Sequence, residues 1–207
     1  MKTDFKATMC KCSRPKVALV LMALFCLCSC NDIKLAEQLD GTWQTSYENY
    51  NEGLVENITE TVTFNYDEDS WEDDGTFVKM LSGRIDDIDF DEDFTCDCKY
   101  LARVTGRWSV DQGNLSLIYD ISTFELKFNR DDVTINTSIY LSSTDRRGLQ
   151  EAIVEDLRSH LQGELRNQFI ESNEDGWYYE NLKVSGNKMS YNTSDYGRIE
   201  FQKINGD

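Results

Sequence analysis

Apolar and polar side chains alternate along most of this chain. In Asn57 to Tyr66, the residues Ile58, Val62, Phe64 and Tyr66 share one face, and Thr59, Thr61, Thr63 and Asn65 share the other. Period two over that length predicts a half-buried strand. A strand is expected to open at Gly41-Thr42-Trp43, and in Gly75 to Ser82 Phe77 and Leu81 oppose Val78 and Met80. Tyr100 to Val110 is the clearest case, with Tyr100, Ala102, Val104, Gly106, Trp108 and Val110 on one side. Gln112-Gly113-Asn114 turns the chain, and Leu115, Leu117, Tyr119 and Ile121 alternate back. Two more strands are read at Phe124 to Asn129 and Val133 to Leu141, around a turn at Arg130-Asp131-Asp132. Trp177 to Val184, Lys188 to Asn192 and Tyr196 to Ile204 complete the series.

Two segments break the alternation. After the helix-capping residues Ser142-Ser143-Thr144-Asp145, Leu149, Ile153, Leu157, Leu161, Leu165 and Phe169 recur every four positions. That stripe predicts a helix over about 145–171, laid against the sheet as a plug or buttress. The other segment is N-terminal. Lys2, Lys6, Lys11, Arg14 and Lys16 precede eleven apolar residues, Val17 to Leu27. Cations followed by a short apolar run are the layout of a secretory signal, too short to span a bilayer.

The apolar run ends in Leu27-Cys28-Ser29-Cys30. This resembles a bacterial lipobox: an aliphatic residue, a small one just before the cut, then the cysteine that takes the lipid. Cys28 and Cys26 follow the bulky Leu27 and Phe25, so only Cys30 fits. The expected organisation is a signal peptide at 1–29, a tether at 30–40 with at most a helical turn, and a single β domain at 41–207. The resemblance implies a lipid-anchored envelope protein, with the membrane as a partner through Cys30 and the outer membrane as the expected location; it leaves the leaflet open. Asp32 is a lone acid after Cys30, a partial match to the acidic export cue of surface lipoproteins.

Charge narrows the partners. The chain has 21 cations and 38 anions; without residues 1–29 it keeps 16 and 37, a net −21. Such a balance argues against nucleic acid and against an anionic membrane surface. The stretch Arg84 to Cys98 is the most acidic, and its Asp87-x-Asp89-x-Asp91 resembles the start of a calcium loop. Glu92 where glycine is needed and Cys98 where glutamate is needed exclude an EF-hand. The plainer reading is a solvated loop or a charged edge strand, with a looser cation site left open. Cys96 and Cys98 are a strained local clip, a redox pair or two quiet thiols; without a nearby histidine they are not a zinc site.

Enzyme chemistry has little to stand on. His160 is the only histidine, and no G-x-S-x-G, P-loop, dinucleotide fingerprint or H-E-x-x-H accompanies it. Among 37 carboxylates some pair by chance, so their number alone does not indicate a glycosidase pair. The expectation is no enzyme, no cofactor and no metal.

Gly41-Thr42-Trp43 and the later Gly106 to Leu117, GRWSVDQGNLSL, carry a family resemblance. The chain is similar to the lipocalin-like (calycin-like) lipoproteins of Bacteroidetes-type bacteria, with their G-x-W strand and later G-x-W-x-V…G-N-x-L hairpin. The resemblance implies an antiparallel up-and-down β-barrel of eight or more strands. It also implies that Trp43 lies at one barrel end under a late basic residue, for which Arg198 is the expected cation. The chain departs from lipocalins in placing its helix before the last hairpins instead of after the barrel. Strands joined by short turns independently indicate antiparallel meanders, barrels or sandwiches. An eight-stranded barrel is just wide enough for side chains or one small ligand.

Two functions follow. In the first, the barrel binds a small hydrophobic or amphipathic ligand against the inward aromatics Phe64, Tyr66, Tyr100, Trp108 and Tyr119. In the second, those rings fill the barrel, and the protein is a structural or interaction lipoprotein that docks an envelope partner. A connected cavity of about 300 Å³ or more favours the ligand.

Overall fold

The computed structural model describes residues 31–51, 54–67, 74–91, 94–174, 178–193 and 197–204. The signal segment with Cys30, the middle of the acidic turn after Tyr66, Trp177 and Tyr196 lie outside them. Nine strands form one antiparallel sheet: β1 (Gly41–Asn51), β2 (Leu54–Tyr66), β3 (Asp74–Asp91), β4 (Phe94–Asp111), β5 (Asn114–Lys127), β6 (Val133–Thr137), β7 (Tyr178–Ser185), β8 (Lys188–Thr193) and β9 (Gly197–Ile204). Helix α1 covers residues 31–39. A 3₁₀ turn at Arg130–Asp132 precedes β6, and helix α2 (Ser143–Glu174) follows it.

Eight strands close into a ring, β1 to β5 and then β7 to β9, with β9 returning to β1. Neighbours in the ring are neighbours in sequence, as in an up-and-down barrel. The expected barrel therefore closes, with β6 and α2 inserted between its fifth and sixth strands.

The acidic stretch is neither loop nor simple edge. Its described residues continue β3 and β4 into a long hairpin with a register shift between Ile85 and Ile88. Asp87 takes a positive φ of 55° there, and Asp97 Oδ1 accepts from the Asp87 backbone N–H and the Asn136 amide. On its other side, the Phe94–Cys98 part of β4 pairs with β6. Cys96 and Cys98 are free thiols buried on that interior face. Burial first, then the negative charge of Asp97, pushes the Cys96 thiol up to about 11; burial and Cys96 push Cys98 to about 12. Thiols held protonated in this way are poor nucleophiles.

The two strands expected at 115–121 and 124–129 are one strand. Thr105 pairs with Asp120 but Arg103 with Glu125, so β5 bulges over the residues between. Thr123 Oγ1 accepts from the Thr105 backbone N–H and makes a 2.9 Å bond with its hydroxyl. The bulge is what interrupts the alternation.

Residues 31–39, expected as a tether, are part of the domain. Asp32, Ala36 and Leu39 recur every three or four positions and are all buried. The Asp32 carboxylate accepts from the backbone N–H groups of Gln112 and Gly113, both at 2.9 Å, and Trp43 Nε1 donates to Leu39 O at 2.7 Å. Helix α1 closes the barrel end that carries the β4–β5 turn. Asp32 thus has a structural task that its position after Cys30 did not reveal.

Helix α2 begins where the capping cluster placed it. Ser142 Oγ donates to Asp145 Oδ2 and accepts from the Asp145 N–H. Ile153, Val154, Leu161, Leu165 and Phe169 are buried, and Leu149 and Leu157 partly so. The first half of the helix covers the outer edge of β6: Arg146, Gln150 and Arg158 donate to the carbonyls of Ile135, Val133 and Phe128. The second half seals the barrel wall. Among the described residues, strands β5 and β7 pair at Leu115–Tyr179 and Ser116–Tyr178. Beyond them Asn173 supplies what a strand would: its Oδ1 accepts from Tyr119 N–H and its Nδ2 donates to Tyr119 O, both at 2.8 Å.

Candidate functional site: a half-filled barrel

The barrel interior divides in two. Toward α1 it is solid with rings: Phe64 meets Trp108 edge-on at 5.6 Å and Phe77 at 6.5 Å, and Tyr66 lies 6.3 Å from Trp108. Two glycines make room for inward rings. A Cβ on Gly106 would sit 2.6 Å from Phe77, its partner across β3–β4, and one on Gly83 would sit 2.2 Å from the ring of Tyr100. Toward the far end the interior opens into a cavity of about 740 Å³.

Its walls come from β1, β2, β3, β5, β7, β8, β9 and the last turns of α2. Ile58, Leu81, Leu165, Phe169 and Ile199 line it with apolar surface, and Tyr119, Tyr179 and Tyr191 with phenol rings. Phe169 lies 4.8 Å from Tyr119, and Tyr179 lies 4.5 Å from Tyr191.

Where the cavity meets the filled half lies a buried ion pair. Lys79 Nζ is 2.9 Å from Glu60 Oε1, with side chains 11% and 7% exposed. Lys79 also donates to the Tyr119 hydroxyl at 3.5 Å, which sits 3.4 Å from that of Tyr179. Glu60 Oε1 lies off the hydrogen-bonding direction of the ammonium and accepts no hydrogen bond. Burial works against the Lys79 charge, but Glu60 and the surrounding tyrosines outweigh it and hold the amine well above its usual range. Burial drives the Tyr119 and Tyr191 phenols well above theirs. Lys79 therefore stays charged and the Tyr119 and Tyr191 phenols neutral across physiological pH.

Of the five aromatics expected to hold a ligand, only Tyr119 lines the cavity. Phe64, Tyr66 and Trp108 belong to the filled half. Tyr100 packs over Gly83, and its hydroxyl donates to Glu56 Oε1 at 2.6 Å; Glu56 itself lines the cavity. Strand parity identified which side chains point inward but not how far along the barrel the packing stops. Glu60 and Lys79 were missed, although the signal was present. Glu60 stands between Ile58 and Val62, and Lys79 between Phe77 and Leu81, both at inward positions where a charge is out of place.

The barrel-end residues need one correction. Trp43 is fully buried against α1, as expected of an end position, but its cation is Lys203, with Nζ 5.1 Å from the ring centre. The register pairs Trp43 with Lys203. Arg198 stands five positions earlier on β9, pairs with Glu200 and borders the cavity. Lys203 Nζ also donates to Asp40 O at 2.6 Å, which holds the ammonium over the indole.

His160 is exposed on α2, 3.2 Å from Glu164, and is not among the residues that line the cavity. Among the described residues no group of three or more histidines, cysteines or carboxylates is placed to hold a metal ion. No family model matches the chain, and no curated protein matches it in sequence.

Proposed function

We propose that this protein is a lipid-anchored envelope lipoprotein, similar to the lipocalin-like lipoproteins, whose barrel binds one small amphipathic molecule. The observation that carries the reading is the cavity. At about 740 Å³ it falls in the range of small-molecule sites, and its lining mixes apolar side chains such as Ile58, Leu81 and Leu165 with polar and charged ones, which suits an amphipathic molecule.

The anchor also gives the barrel an orientation. Cys30 immediately precedes α1, and α1 is fastened to the barrel by Asp32, Ala36 and Leu39. Acyl chains on Cys30 would hold the closed end against the membrane and turn the cavity toward the aqueous side. Two or three acyl chains suffice for stable anchoring, where one binds only marginally.

The test is uptake of an apolar fluorescent dye by the purified protein, paired with mass spectrometry of small molecules extracted from protein taken from the envelope. One dye per chain is expected. Ile199→Trp, at a half-buried position on the cavity wall, should abolish uptake in a protein that stays folded by circular dichroism. Equal uptake by this variant would place the dye elsewhere and defeat the reading.

A further inference from the structure

We propose that the cavity is selective for an amphipathic amine, whose ammonium donates to Glu60 and whose apolar body lies against Ile58, Leu81 and Leu165. The proposal rests on the ligand-binding reading above and names the ligand's chemistry.

The first argument is hydrogen-bond supply. A carboxylate has about four acceptor positions, and a buried one left short of donors is costly. Glu60 is 6% exposed and its Oε1 accepts no hydrogen bond. Lys79 faces that oxygen with poor alignment and spends a donor on Tyr119, whose hydroxyl is in turn engaged with Tyr179. What the site leaves open is a well-aligned donor to Glu60 Oε1, and a primary ammonium brings three N–H groups.

The second argument is the sign of charge. Glu56 and Glu60 occupy inward positions of β2, and Glu171 borders the cavity from α2. Among the described inward residues of the cavity, Lys79 is the cation, and Glu60 already neutralises it. Arg198 alternates with the inward Ile199 and Phe201 and pairs with Glu200 on the opposite face of β9. A fatty carboxylate would find its counter-ion taken and a second carboxylate nearby. An ammonium gains from Glu56 and Glu60 together, and the faces of Tyr119, Phe169, Tyr179 and Tyr191 favour a cation further.

The experiment is competition against the apolar dye, using the full chain carrying Cys30→Ala so that acyl chains do not occupy the cavity. The competitors are hexylamine, hexan-1-ol and hexanoate, which share a chain and differ in the head group. At pH 7 hexylamine should displace the dye at about one-tenth the concentration of hexan-1-ol, the factor expected for one charge-assisted hydrogen bond, with hexanoate weakest. Glu60→Gln alone leaves Lys79 buried without its partner, so the double variant Glu60→Gln, Lys79→Met is the second arm. It should bind the dye and lose the preference for amine over alcohol. Equal competition by the three, hexanoate strongest, or a preference that survives the double variant would overturn the amine proposal while ligand binding stands. Failure of the dye to enter the wild-type barrel would overturn both.

Discussion

Replacing Asn173 with alanine tests the idea that a side chain of α2 fastens the helix to the backbone of β5. The Asn173 amide makes two 2.8 Å hydrogen bonds to the backbone N–H and C=O of Tyr119, three positions along β5 from Ser116, which pairs with Tyr178 of β7. Each such bond contributes about 0.5–1.5 kcal/mol net, so the variant should lose about 1–3 kcal/mol. For a domain of this size, a loss near 2 kcal/mol lowers the melting temperature by about 4–8 °C. Amide exchange at Tyr119 should rise with it, because the opened seam exposes that N–H to water. Ser172→Ala is the control. The Ser172 hydroxyl donates to Gln168 O within the same helix, so its loss should leave both readings near wild type. An Asn173→Ala protein that melts with the wild type, with Tyr119 as well protected as before, would show that packing by Leu165 and Phe169 closes the seam without the amide.

Lys79→Met should destabilise the fold by about 3–5 kcal/mol in urea unfolding, because it strands a buried carboxylate, whereas adding Glu60→Gln should restore most of the loss; a milder single variant than double would refute the pairing. Lys203→Met should cost roughly 0.5–2 kcal/mol through the cation–π contact with Trp43, and Arg198→Met should cost less; the reverse order would restore Arg198 as the covering cation. Cys96 and Cys98, at about 11 and 12, should resist thiol reagents at pH 8 until the protein is unfolded. Both values lie above the unfolded thiol's, so this contribution is complete below about pH 8.5 and is lost as pH rises through them; the Cys96→Ala, Cys98→Ala variant should show a shallower alkaline decline in its unfolding midpoint. Cys30→Ala should move the protein from the membrane to the soluble fraction, and unchanged detergent partitioning would end the lipoprotein reading.

The element types were legible in the sequence because each depends on neighbours a few residues apart. Alternation in Asn57 to Tyr66 and Tyr100 to Val110 marks a surface wet on one side, and the four-residue stripe from Leu149 to Phe169 marks a helix with one apolar face. Ring closure was expected from the family resemblance and not from any local pattern, because β1 meets β9 across the whole domain. Nor was the role of α1: Asp32 and Leu39 acquire their meaning only from Gln112, Gly113 and Trp43, which folding brings to them. The β5 bulge broke the local alternation and so looked like a strand boundary. The covering cation of Trp43 was a matter of register, and pairing across β1 and β9 selects Lys203.

The cavity divides along the same line. That Phe64, Trp108, Glu60 and Lys79 all point inward is a matter of parity, written locally and unavoidable once β2, β3 and β4 form. Which of them are packed and which face open space depends on how much volume the ring encloses and how far α1 and α2 reach into it. Volume is a property of the closed barrel, set by strands far apart in sequence, so no local pattern encodes it. Besides the inward Tyr119, two charges at inward positions were a local trace of the site, and the tertiary structure turned that anomaly into an ion pair at the end of a cavity.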